Sequence, residues 1–175
     1  MTQIPPDTKD WTWVLERRCE ECGLEAGAVE AAEVPGRLRA AVPLWRVALA
    51  SPTVRQRPRP TVWAPLEYAA HARDVQRLML GRLRLVLAEE DPVFPDWDQD
   101  AAATDYLGLD PAQVAGELAR SAEELASAAA ALRPEELDRP GRRSDGARFT
   151  ARSLLQYCLH EVEHHLHDVG QRLRT

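Results

Sequence analysis

The sequence predicts an all-α protein, a four-helix bundle preceded by an irregular N-terminal arm. Three observations lead there. Alanine and leucine are abundant, whereas strand-like runs of Val, Ile and Thr are nearly absent and isoleucine occurs only at Ile4. Apolar residues recur at helical spacing in four separate stretches. Proline-containing or strongly polar segments divide those stretches from one another. With 175 residues the chain is long enough to bury a core, and a single domain spanning 1–175 is expected.

Residues 1–30 read as the arm. Pro5 and Pro6 are followed by Trp11-Thr12-Trp13-Val14-Leu15 and by a CxxC turn, Cys19-Glu20-Glu21-Cys22-Gly23. The two tryptophans are too apolar to stay solvated, so the arm should pack onto the body. The first helix is expected from Pro35 to Leu49, with a proline in its first turn where the missing N–H costs little, and a kink at Pro43. Residues 51–60 carry three prolines and form a loop. Trp63-Ala64-Pro65-Leu66-Glu67 then opens a second helix that continues to Ala88, with Val75, Leu78, Met79, Leu83 and Val86 on one face. Residues 89–110 form a long acidic connection, whose Phe94 and Trp97 point to a cap over one end of the bundle or to ordinary packing of the loop against the core. A third helix runs from Pro111 to Leu132. The arginine-rich segment 134–148 is expected to be a loop. The fourth helix begins after Thr150, a good N-cap residue.

The composition narrows the partners. The formal net charge is −6 and Lys9 is the only lysine, so the clustered positive charge that phosphate binding needs is missing and nucleic acid is not an expected partner. No apolar run approaches the roughly 20 residues of a membrane span. Residues 1–7 lack the basic and apolar regions of a secretory signal, so a cytoplasmic location is expected. Cys158 falls on the shoulder of an apolar helix face and reads as a reduced core thiol. The CxxC turn reads as two reduced thiols, because a structural zinc site needs a second ligand pair and none follows at a suitable spacing; a disulfide or redox role is the alternative.

Chemistry concentrates in the fourth helix. Four of the five histidines, His160, His164, His165 and His167, lie within eight residues, interleaved with Glu161, Glu163 and Asp168. Imidazoles with carboxylates three or four positions away make an N/O metal site. Positions four apart share a helix face, so two pairs compete: His160 with His164, and Glu161 with His165. The apolar stripe of Leu155, Val162, Leu166, Val169 and Leu173 favours the second pair, which falls on its shoulder. His160, His164 and His167 point nearly opposite and are expected to be solvated or to support the ligands. On the second helix His71 lies inside the apolar stripe. A lone histidine there is ordinarily a hydrogen-bonded core residue, but opposite an inward-facing Glu/His pair it becomes the third ligand.

These residues resemble the DinB/YfiT-like superfamily, which includes mycothiol-dependent maleylpyruvate isomerases. The carriers are residues 63–75, Trp63-Ala64-Pro65-Leu66-Glu67-Tyr68-Ala69-Ala70-His71-Ala72-Arg73-Asp74-Val75, and the cluster ending His164-His165-Leu166-His167-Asp168-Val169. The tryptophan and CxxC arm, with Trp97-Asp98-Gln99-Asp100, looks like the actinobacterial branch. The resemblance implies a four-helix bundle with a divalent metal, zinc or nickel, held by His71, Glu161 and His165, in the register Glu-x-x-x-His followed three residues later by Asp168. Other members carry His where this chain has Glu161, and a slip of one position would hand the site to His160 and His164. The implied activity is a metal-dependent S-transferase joining a low-molecular-weight thiol such as mycothiol to a small electrophile. Asp168 is then the catalytic candidate, orienting a ligand or handling a proton, and Trp97 the residue that covers the bound thiol. A homodimer is compatible with the resemblance. Two other readings stay open: a bundle that binds a metal or small molecule without turnover, and a metal hydrolase.

Overall fold

The computed structural model describes Ile4 and residues 10–173; Pro5 and Pro6 of the expected arm lie outside the described residues. Its helices are α1 (Val34–Leu49), α2 (Pro65–Ala88), a short α3 (Gln99–Ala103), α4 (Pro111–Ala130) and α5 (Ala151–Asp168). Local chemistry sets their starts. Pro35, Pro65 and Pro111 each sit in a first turn. Asp110 accepts from the Gln113 amide at 2.8 Å, and the Thr150 hydroxyl accepts from the Ser153 amide at 3.2 Å while Ser153 Oγ accepts from the Thr150 amide. At the head of α2, the Glu67 carboxylate accepts the Ala64 N–H at 2.8 Å. Glu67 is buried, and a two-pronged pair with Arg57 at 2.6 and 2.9 Å balances its charge.

The four long helices form the bundle. Both α1 and α2 pack against both α4 and α5, so helices consecutive in the chain, α1 and α2, face each other across a diagonal. One continuous core holds the four together, with Trp45, Leu38, Leu83, Leu118, Leu125 and Leu154 fully buried at its centre. α1 runs on through Pro43, whose missing N–H deletes one helical bond. Arg37 of α1 reaches Glu163 of α5 at 2.7 Å, and Arg73 of α2 reaches Glu117 of α4 at 2.8 Å. Such pairs add orientation to a packing held chiefly by apolar burial.

The connections hold more structure than their composition suggested. The segment expected to be a plain arginine-rich loop contains a hairpin, β1 (Pro140–Arg142) paired antiparallel with β2 (Arg148–Thr150), with Gly141 opposite Phe149. The acidic connection contains α3 and a 3-10 turn at Tyr106–Gly108. Phe94 packs into the core, the second of the two expected placements. It is buried, its N–H donates to the Arg142 carbonyl at 2.8 Å, and the Arg142 N–H donates to the Pro92 carbonyl at 2.9 Å. Gly141 is required at this crossing, since a Cβ there would lie 2.5 Å from Phe94 Cζ and 2.7 Å from Val86 Cγ1. The hairpin thereby fixes the start of the segment that carries Trp97.

The arm lies on α5 through 3-10 turns at Thr12–Leu15 and Ala26–Ala28. Val14, Cys19 and Ala26 are buried beneath it. Trp11 and Trp13 stack with ring centres 5.7 Å apart.

Candidate metal centre

Helix α2 carries His71 in its second turn, and α5 presents Glu161 and His165 one turn apart toward it. His71 Nε2 lies 3.5 Å and His165 Nε2 3.6 Å from Glu161 Oε2. All three donor atoms fall within 4.8 Å of one another. Metal–donor bonds of about 2.0–2.2 Å in tetrahedral geometry place donors roughly 3.3–3.6 Å apart, so little movement separates this arrangement from a coordination sphere. The three ligands expected from the sequence are brought together.

Neighbouring groups prepare them for that role. Asp168 Oδ2 lies 2.8 Å from His165 Nδ1, which donates to it and turns Nε2 toward Glu161. Burial holds the His71 imidazole below its ordinary value, the neutral form a ligand needs. Burial alone would raise the Glu161 carboxyl, but the imidazoles of His160, His165 and His71 outweigh it and hold the group well below the usual carboxylate range. Burial would lower His165, yet Asp168 and Glu161 push it up to about 9. His71 is 2% exposed and its Nδ1 has no hydrogen-bond partner.

Aromatic rings enclose the site. Trp97 stacks on His71 with ring centres 5.6 Å apart, Trp63 lies 5.1 Å from His71, and Tyr68 lies 5.0 Å from His165. Beside them opens a cavity of about 430 Å³ with Glu161 in its wall, along with Trp11, Trp97, Arg82, Arg143 and Tyr157. Trp63 and Tyr68 belong to the segment that carries the family resemblance, but nothing in their spacing singled them out. Arg82 and Tyr157 carried no sequence signal, because the cavity they share forms only where the arm and the long connections meet α2 and α5.

Two expectations need correction. His160 and His164 are not solvated: they are 0% and 6% exposed. Both face the arm, where His160, His164, Cys19 and Cys22 place four potential ligand atoms within 4.8 Å of one another. The apolar stripe located one buried face of α5, but the arm buries a second that has no apolar period. The CxxC turn accordingly does meet a second ligand pair, supplied by the fold rather than by nearby sequence. His167 remains partly exposed, and Cys158 is a fully buried free thiol that burial pushes up. His164, His165 and Asp168 form a further group of donor atoms within the same span.

The sequence profile of the DinB superfamily matches residues 46–169, most of the chain, including all three expected ligands. No protein of curated function shows detectable sequence similarity to the chain. Among solved structures, YfiT from Bacillus subtilis superposes with a TM-score of 0.67 at 19% identity, over 95% of this chain and 89% of that one. YfiT is described as a probable metal-dependent hydrolase with an unusual four-helix bundle topology. At that identity the likeness establishes the shared fold.

Proposed function

This chain belongs to the DinB superfamily, and on that premise we propose that it is a metal-dependent enzyme acting on a small molecule, specifically an S-transferase that uses a low-molecular-weight thiol such as mycothiol. The observation that carries the reading is the meeting of His71 Nε2, His165 Nε2 and Glu161 Oε2 at the wall of a cavity large enough for a small cofactor. Two imidazoles and one carboxylate suit zinc or nickel and leave coordination positions open. A divalent ion there supplies Lewis acidity, lowering the pKa of a thiol or a water near neutral pH.

The remaining steps fall to the chain itself. Asp168 holds the proton on His165 Nδ1 and so fixes the direction of Nε2. Trp97 covers His71 from the cavity side and excludes water from the ligand face. The cavity is polar, with Asp96, Asp98 and Asp145 near the two tryptophans Trp11 and Trp97. Carboxylates beside indole faces suit a hydroxyl-rich ligand such as a sugar-bearing thiol. Arg82, buried against the Phe94 ring with its Nε unpartnered, makes no ion pair among the described residues and is placed to receive an anionic group of the electrophile.

The experiment is turnover by the zinc- or nickel-loaded protein with candidate thiols and electrophiles. Conversion should require both the ion and the thiol. Metal-dependent conversion that persists without thiol would replace this reading by a hydrolase, the second reading, which the likeness to YfiT favours.

A further inference from the structure

We propose that Cys19, Cys22, His160 and His164 form a second metal site, a closed four-ligand centre of the type that takes zinc, which fastens the N-terminal arm to α5. Two thiols and two imidazoles are the donor set of structural zinc, and their four ligand atoms already lie within 4.8 Å of one another. Tetrahedral zinc, with bonds of about 2.0–2.3 Å, places its donors roughly 3.3–3.8 Å apart. Cys19 Sγ lies 3.6 Å from His164 Nδ1, already within that range.

The turn has the form such a site needs. The Gly23 N–H donates to the Cys19 carbonyl at 2.9 Å and the Cys19 N–H to the Leu24 carbonyl at 2.8 Å, curling the backbone around both thiols. Gly23 adopts φ +82°, a conformation that side chains other than glycine's seldom tolerate. On the other side, His160 and His164 stand one helical turn apart with ring centres 5.0 Å from each other.

The independent observation is His160. Its ring is fully buried, yet neither Nδ1 nor Nε2 has a hydrogen-bond partner, Glu161 Oε1 standing 3.8 Å from Nδ1, beyond hydrogen-bond reach, and such an arrangement costs free energy in an interior. An ion between the helix and the turn would satisfy one of those nitrogens.

This assignment does not depend on the site at His71. An ion here would tie together residues 145 positions apart in sequence, Cys19 and His164. It would also fix Trp11, whose ring lies 5.5 Å from that of His164 and forms part of the cavity wall. The arm would then be a built-in wall of the cavity rather than an appendage.

Cobalt(II) titration of the reduced, metal-stripped protein tests the proposal, because cobalt held by thiolates shows a charge-transfer band in the near ultraviolet. The band should appear in the wild type, saturate at one equivalent, persist in His71→Ala, and be lost or greatly weakened in Cys22→Ser. Cys22 is only half-buried, so that variant should fold; circular dichroism checks this. As a second readout, zinc should protect two thiols of the wild type from alkylation. Zinc content should fall by one equivalent in Cys22→Ser whatever happens at His71. A wild type without the band, a band unchanged in Cys22→Ser, or thiols alkylated equally fast with and without zinc would overturn the assignment.

Discussion

Replacing Asp168 by asparagine tests whether the carboxylate orients His165 or binds the ion itself. The side chain keeps its shape and an acceptor oxygen but loses its charge. The contact it alters is short, 2.8 Å, and only partly open to solvent, with 21% of the Asp168 side chain exposed. Outer carboxylates of this kind typically govern metal affinity by about 10–100-fold when removed, or roughly 1.4–2.7 kcal/mol. The variant should therefore bind zinc with a Kd raised by about that factor at unchanged stoichiometry. Competition against a chromophoric chelator measures it, in a Cys22→Ser background so that the cysteine cluster does not contribute. His165→Ala is the reference for losing a direct ligand and should not retain stoichiometric zinc through dialysis. A Kd within twofold of the parent would refute the orienting role. A loss as complete as that of His165→Ala would place Asp168 among the ligands and favour the group of His164, His165 and Asp168.

Three further outcomes are expected. Gly141→Ala forces a methyl into Phe94 and Val86, and overpacking of this kind costs about 1–3 kcal/mol. For a chain of this size that is a fall in Tm of roughly 2–12 °C, checked by calorimetry; an unchanged Tm would show that the hairpin yields freely. Trp97→Ala should weaken thiol binding or turnover while zinc content stays at the parental level, measured side by side; loss of zinc would mean that the ring is needed to hold His71. Glu117, beside Gln113, Arg73 and Arg77, is held below the usual carboxylate range. A depressed folded pKa contributes stability above the unfolded value of about 4.5 that is lost as pH falls through the folded one. The Tm difference between wild type and Glu117→Gln should therefore be present at pH 7 and shrink toward pH 3; a difference that grows on acidification would contradict this sign.

The four long helices were legible because each carries a repeated apolar face and a chemical start signal: Pro35 in the first turn of α1, Pro65 at the head of α2, Asp110 and Pro111 at the head of α4, Thr150 ahead of α5. The grouping of His71, Glu161 and His165 was legible because helix periodicity aims Glu161 and His165 in one direction and the apolar stripes of α2 and α5 turn that pair and His71 inward. The hairpin was not, because its three-residue strands have no period to detect and their position depends on Phe94, 47 residues before Gly141. The burial of His160 and His164 depends likewise on where the arm comes to rest. A CxxC turn shows half of a ligand set, and only the fold reveals the other half.

The diagonal placement of α1 and α2 divides the labour within the bundle. Every candidate ligand lies on α2, on α5, in the arm or in a connection, and none on α1 or α4. Those two helices serve as a keel: they set how rigidly the chemistry is held without touching it. Substitutions along them would be felt as changes in folding and abundance, while the identity of the molecule bound would be decided elsewhere. Lineages could thus retune stability and specificity on separate surfaces, each free to drift with little effect on the other.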